Sequence, residues 1–263
     1  MDDVFAITLA SMHQDMSRLD RVAMNLANAS TPGYKREVVA SRPFVEVLED
    51  VASQGSSMSS GQSAPAGMPA SSQMKVLFDV HPGTVKVTGE AMDVAITGDA
   101  FFEISTEQGP AYTRQGDFHL DARGRLVTAQ GHPVMGRNGE IFLTTQAPSI
   151  DATGAITEPN ATTGPSAAAP GSPVAQLKLV RFEDAKTLQR LGDGLMAAGS
   201  GMTVLNGTES QVRQGALENS NISTLQEMVQ MMQTARHFET IQKITQGYDE
   251  MIGTAIHKLG DLS

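Results

Sequence analysis

Cysteine and tryptophan are absent from this chain of 263 residues, and aromatic side chains make up only 5% of it. Without cysteine there is no disulfide framework, no thiolate ligand for zinc and no thiol nucleophile. A chain so poor in aromatics lacks the usual lining of a deep apolar pocket, which suits extended or repetitive architecture better. Basic residues are outnumbered: 19 Lys and Arg stand against 29 Asp and Glu, for a net charge of −10. Such a surface repels phosphate backbones and disfavours a general nucleic-acid partner. No stretch approaches the roughly 18–20 apolar residues of a membrane span. The start, Met1-Asp2-Asp3, has neither the basic region nor the apolar run of a cleaved signal. The expectation is a protein that is not membrane-spanning and that leaves the cell, if it does, by a route without a cleaved signal peptide.

The motifs of enzyme chemistry are missing or misplaced. Gly192-Asp193-Gly194-Leu195-Met196-Ala197 matches G-x-G-x-x-A, but it follows no strand and opens no convincing helix, so it reads as a loop. There is no G-x-x-x-x-G-K-[ST]. Gly61-Gln62-Ser63-Ala64 carries Pro65 where a nucleophile elbow needs glycine. His13, His81, His119, His132, His237 and His257 form no H-x-x-x-H or H-E-x-x-H pair. Asp117 and Asp121 flank a short strand that leads into a turn, where aspartate serves turn geometry. The expectation is therefore no enzyme, with no catalytic or metal residues, no cofactor and no small-molecule substrate.

What is present is periodic. Phe5, Leu9, Met12, Met16, Leu19, Ala23 and Leu26 recur at alternating steps of four and three, a heptad seam ending at Ser30-Thr31-Pro32-Gly33. Leu225, Met228, Met231, Ala235, Phe238, Ile241, Thr245, Tyr248, Ile252, Ala255 and Leu259 repeat the pattern at the other end. Ser223 and Gln226 give the second helix a capping-box start. Between the ends, residues 52–73 are uncharged and rich in Ser, Ala, Gly, Gln and Pro, the composition of a linker. From Lys75 onward come short β-like runs such as Val94–Thr97, Phe101–Ser105, Tyr112–Arg114, Ile141–Thr144 and Val174–Phe182. Asp121-Ala122-Arg123-Gly124 and Arg137-Asn138-Gly139 punctuate them as hairpin turns. The order of helix, β-structure and helix has no βαβ alternation.

A lone amphipathic helix is not stable in water. Ordering each residue costs about 1–2 kcal/mol, while each buried seam side chain returns roughly 1.5–3 kcal/mol, and only two residues in seven lie on the seam. Each terminal helix therefore needs a partner, and the nearest candidate is the other. The expected fold class is α+β, with long N- and C-terminal helices pairing as a coiled coil around a central β-rich domain. The divisions are residues 1–35, N-terminal helix; 36–74, linker or extended hairpin; 75–214, β-rich domain; and 215–263, C-terminal segment and helix.

The two ends also carry a resemblance. Asn25-Leu26-Ala27-Asn28-Ala29-Ser30-Thr31-Pro32-Gly33-Tyr34-Lys35 is similar to the N-terminal signature shared by flagellar rod, hook and hook-associated proteins. Gln214-Gly215-Ala216-Leu217-Glu218-Asn219-Ser220-Asn221-Ile222, followed by Glu227-Met228-Val229, resembles the matching C-terminal signature. Met92–Phe102 and Tyr112–Phe118 resemble the β-domain of rod and hook members. Gly131–Gly136 and Gln176–Val180 resemble the proximal-rod branch more than the distal-rod branch.

This resemblance implies a structural subunit of the bacterial flagellar basal-body rod, exported through the flagellar type III apparatus and assembled helically with itself, other rod proteins and hook-side axial proteins. It would form the drive shaft and export-channel wall for motility, in the periplasm-spanning rod. The residues expected at the assembly interface are Phe5, Leu9, Met12, Met16, Leu19 and Leu26 on the first seam and Asn25, Asn28, Pro32, Gly33 and Tyr34 at its end. Gly215, Glu218, Ser220 and Asn221 precede the second helix, and Met228, Met231, Ala235, Phe238, Ile241, Tyr248 and Ile252 lie along it. A distal-rod or hook protein is the alternative within the class, and a secreted β-rich adhesin or binding module the alternative outside it.

Overall fold

The computed structural model describes residues 2–40, 75–158, 173–185, 188–199, 201–206 and 211–260. The linker-like residues 52–73 lie outside the described residues. Helix α1 (Asp2–Ala27) opens the chain and helix α2 (Thr224–Gly260) closes it, with nineteen short strands, β1 to β19, between them among the described residues. Ser223 stands just before α2, and its carbonyl accepts from the Glu227 amide at 3.0 Å, which closes the first turn.

The middle of the chain is organised by a six-stranded antiparallel sheet. Its spine is the hairpin of β5 (Ala100–Thr106) and β6 (Gly109–Thr113), flanked by β14 (Leu179–Phe182) and β16 (Leu195–Met196), with β17 (Met202–Val204) and β15 (Arg190–Gly192) at the edges. The run Phe101–Ile104 is buried throughout rather than alternating because the sheet is covered on both faces. Phe102 and Ile104 enter one cluster with Leu126, Val134, Ile141 and Leu177. Phe101 turns to the other, with Tyr112, Val180 and Phe182. Phe102 meets Phe118 edge-on at 5.0 Å, and Tyr112 meets Phe182 at 4.9 Å.

Turn chemistry falls where the sequence places it, with two exceptions. Asp121–Gly124 joins β7 (His119–Leu120) to β8 (Leu126–Val127), and Arg137-Asn138 joins β9 (Met135–Gly136) to β10 (Gly139–Glu140). Gly192–Ala197, read as a loop, is instead the β15–β16 hairpin. Asp193 and Gly194 both adopt positive φ, 47° and 76°, the requirement of a two-residue turn whose twist matches its strands. Ile141–Thr144 forms no strand and contributes only the bridge between Phe142 and Arg125.

The expected pairing of long terminal helices as a coiled coil is corrected by the structure. Only two helices occur among the described residues, with nineteen short strands between them, and the heptad seams are only partly covered: Ile241 is buried and Leu19, Leu26 and Phe238 are half-buried, while Leu9, Met16, Met228 and Met231 are exposed. Asn25 on α1 reaches Glu227 on α2, and Asp15 on α1 reaches His237, so the helices run antiparallel through polar contacts. The inward face of α1 is Asp15, Val22 and Asn25, one residue earlier than the apolar stripe of Met16, Ala23 and Leu26. On α2 the inward residues are Glu227, Thr234 and Ile241, whereas Leu225, Met228 and Met231 face solvent. The reason is physical: charged and amide groups that have partners at the helix root turn inward together, and a helix is a rigid cylinder, so neighbouring apolar positions such as Met16 and Met228, about 100° further round, are carried outward.

Candidate assembly interface

The segment after α1 turns sharply into the body of the protein. The Asn28 amide nitrogen caps the helix by donating to the Met24 carbonyl at 2.9 Å, and Thr31 and Tyr34 close successive turns through their backbone amides. Gly33 adopts φ +65°, and a Cβ there would overlap the backbone of Arg114 and Gln115. Its amide donates to the Glu218 carbonyl at 2.7 Å. The Pro32-Gly33 exit is thus a close backbone approach between the two signature segments. Gly215, at φ +69°, turns the chain between β18 (Gln211–Gln214) and β19 (Ala216–Glu218), and its carbonyl accepts from Thr88 and Gly89.

Three buried carboxylates gather the charged groups around these turns. Glu218 accepts from Lys35 Nζ at 2.6 Å and from the Gly83 amide at 2.9 Å on one oxygen, and from Arg114 Nε at 2.9 Å on the other. Glu227, fully buried, accepts from Arg36 Nε at 2.6 Å and from the Asn25 amide at 3.3 Å. Glu37, in β1 (Glu37–Ala40), accepts from Arg190 at 2.6 Å and from Arg21 at 3.0 Å. β1 pairs antiparallel with β2 (Lys75–Phe78), which places Phe78 opposite Glu37.

Amides complete the arrangement. Asn25 presents its side chain to the Glu37 backbone as a strand would, donating to the carbonyl at 2.9 Å and accepting from the amide at 3.0 Å. Asn221 does similar work on the opposite side, accepting from the Arg36 amide at 2.8 Å and donating to the Asp79 and His81 carbonyls. Ser220 accepts from the Ile222 amide. Tyr34 lies under the Arg190 guanidinium, 4.5 Å from its ring centre, and its hydroxyl accepts from Arg190 at 2.6 Å. Burial raises the Tyr34 hydroxyl above its ordinary pKa against the opposing pull of Arg190. Burial likewise pushes the Lys35 ammonium below its usual range, with Glu218 opposing.

The residues expected at the interface therefore divide into two groups. Asn25, Gly33, Tyr34 and Glu218 are buried within the chain, and Asn28, Pro32, Gly215, Ser220 and Asn221 are half-buried around the same turns. Leu9, Met16, Met228 and Met231 are exposed, with Leu9 58% and Met16 56% open to solvent. Met12, Leu19, Leu26, Ala235, Phe238, Tyr248 and Ile252 are half-buried, and Ile241 is buried. Phe5 belongs to α1, but its side chain lies outside the described residues. Sequence reasoning left Asp15, Arg21, Arg36, Glu37, Arg190 and His237 out of the expected interface and took Arg114 and Glu227 only as parts of the matched segments, since a search for apolar period passes over charges that are buried in pairs. Three consecutive charged residues, Lys35-Arg36-Glu37, directly after a helix stop were the one local signal. A cleft of about 490 Å³ between α1, β1 and α2 is lined by Arg21, Arg36, Glu37 and Glu227. These charges are already paired with one another, so the cleft is the open side of the ionic network. No helix among the described residues is long and apolar enough to cross a membrane.

Residues 213–257 match the family model described as flagellar basal body rod FlgEFG protein C-terminal, and residues 95–163 match flagellar hook protein FlgE/F/G D1 domain. The chain is 31% identical to the flagellar basal-body rod protein FlgF of Salmonella typhimurium over 263 residues, covering 97% of each chain. It is 31% identical to FlgF of Rhizobium meliloti, over 97% of this chain and 96% of that one. Flagellar basal-body rod protein FlgG of Bacillus subtilis is 28% identical, over 93% of this chain and 94% of its own.

Proposed function

Since the chain belongs to the flagellar basal-body rod protein family and is a structural, non-enzymatic subunit of the basal body, we propose that it joins its neighbours through the outward apolar faces of its two helices. The observation that carries this reading is the exposure of large apolar side chains on both. Leu9 and Met16 on α1, and Leu225, Met228, Met232 and Met251 on α2, stand open on a chain of net charge −10. An acidic protein gains nothing from such faces in isolation; covering them against other subunits stabilises an assembly by roughly 25 cal/mol per Å² of apolar surface buried. Methionine suits the role because it adapts to neighbours that differ slightly in geometry. In this reading the buried ionic network holds each subunit's own ends together while the apolar faces join subunits.

The F-type, proximal position in the rod is favoured by coverage: the F relatives match 97% or 100% of this chain, the G relatives 93% or 94%. A helically stacked shaft enclosing an axial channel, a periplasm-spanning location, delivery by the flagellar export apparatus and contact with hook-side proteins belong to the same proposal. Deleting the protein and imaging basal bodies by electron microscopy tests it. Basal bodies lacking the rod beyond an early stage are expected, with restoration by the wild-type chain. Complete rods in the deletion strain would overturn the reading.

A further inference from the structure

Two of the buried carboxylates share a pattern that the third does not. Glu218 takes one cation from the helical end of the chain, Lys35, and one from the β-domain, Arg114. Glu37 does the same with Arg21 on α1 and Arg190 on β15. Glu227, by contrast, engages only Arg36 and Asn25, both on the stem side. Glu218 and Glu37 are therefore the carboxylates through which ionic bonds cross from the helical stem to the β-domain among the described residues.

Arg114 is anchored on its own side, while Lys35 and Arg190 each make a second bond across the joint. Arg114 also donates to the Gly98 carbonyl at 2.7 Å and to the Ala100 carbonyl, which fixes it to the start of β5. Lys35 donates to the His81 carbonyl at 2.9 Å, and Arg190 is stacked on Tyr34. The Lys35, Arg114 and Glu218 side chains are each no more than 3% exposed, so no water can take over these bonds. Charge-assisted hydrogen bonds weaken steeply with misalignment, whereas apolar contact is indifferent to direction. One such crossing permits swivel about itself. Two separate crossings do not.

We propose that Glu37 and Glu218 form a two-point ionic joint that sets the angle between the helical stem and the β-domain, each acting as a positioning residue between one stem cation and one β-domain cation. The joint is a property of the single chain and is tested without reference to assembly. Because the chain has no cysteine, Glu107→Cys at the tip of the β5–β6 hairpin and Gln242→Cys on the exposed side of α2 accept spin labels at two unique positions. Distances between the labels are read by double electron–electron resonance on the full chain.

The wild-type background should give one narrow distance. Glu218→Gln and Glu37→Gln should each broaden or shift it, and the double variant more so, while circular dichroism shows the β-domain still folded. Amide exchange at residues 33–37 should rise on the order of 100-fold in Glu218→Gln, because Lys35 and Arg114 stay buried without their anion. Should Glu218→Gln fail to fold, Lys35→Met and Arg21→Met remove only the stem-side cations and leave each carboxylate one partner. Glu218→Asp, which restores the charge, should return the distribution toward the narrow one. A distribution unchanged in both glutamine variants, or in Lys35→Met and Arg21→Met together, would overturn the proposal.

Discussion

Lys35 Nζ lies 2.6 Å from Glu218 Oε1 although 183 positions separate the two residues along the chain. The contact brings the segment after the first helix onto the segment before the second, with the Gly33 amide on the Glu218 carbonyl beside it. Neither segment is satisfied alone. Remove one, and the other retains buried donors or acceptors that water does not reach.

Adjacent positions on α2 should respond in opposite ways to truncation. Glu227 is fully buried and accepts from Arg36 and Asn25, while Met228 is 45% exposed. Glu227→Ala leaves the Arg36 guanidinium and the Asn25 amide without their acceptor at a largely buried site. It should cost about 3 kcal/mol in urea unfolding. Met228→Ala should cost less than about 1 kcal/mol. Equal losses would mean that the root of α2 is held by apolar contact after all.

Two glycines of positive φ separate backbone strain from close approach. Gly89 has φ +81° and open space where a Cβ would stand, so Gly89→Ala should cost roughly 1–2 kcal/mol, from conformation alone. Gly33 has φ +65° and the backbone of Arg114 and Gln115 in that space. Gly33→Ala must in addition push the N-terminal segment off the β-domain, and its loss of stability should clearly exceed that of Gly89→Ala. Chemical denaturation of both variants checks the ranking.

The legible parts of this fold were those set by local chemistry. Pro32-Gly33 ends the helical region because of its own geometry, Asp121–Gly124 turns because of its own hydrogen bonds, and Phe101-Phe102 reads as buried strand from its composition. The helices were legible as helices, but not the face each one buries. Periodicity identifies an apolar stripe; it does not say whether that stripe is covered by the same chain. Asp15, Asn25 and Glu227 turn inward because of residues 12 to 222 positions away, among them Glu37, Arg36 and His237. Pairings at that separation leave no mark in a short window. The signature residues Asn25, Tyr34, Lys35 and Glu218 stood out as motif letters, and Arg114 lay in the β-domain match, but Arg36, Glu37 and Arg190, which complete the network, lie outside the quoted segments.

Acid should loosen one hairpin before the rest of the β-domain. Asp121 accepts from the Arg125 and Arg123 amides and from Arg125 Nε at 2.8 Å, and the Arg125 amide bond foremost lowers its pKa to about 2 from an ordinary 3.8. A carboxyl held below its unfolded value lends stability that is fully present above pH 3.8 and is lost as pH falls toward 2. Asp121→Asn should therefore flatten the wild-type decline in that window while lowering stability at neutral pH. Thermal midpoints measured from about pH 7 down to about pH 2 would show it, and parallel curves for the two proteins would mean that Asp121 has no part in the decline.

The rotation of α1 makes folding and assembly separable by position. Val22 is 3% exposed and lies on the face turned toward the body, whereas Met16 lies on the face turned to solvent. Val22→Glu buries an unpaired charge and should unfold or undock α1 in the isolated chain, seen as lost helicity by circular dichroism. Met16→Glu should leave that helicity unchanged, because its side chain already meets water. If α1 joins other subunits through this face, Met16→Glu must nonetheless abolish motility, since a carboxylate would then be desolvated at every subunit contact. A motile Met16→Glu strain would show that the outward stripe faces water in the assembled rod as well, and the subunit contacts would have to be sought on the β-domain.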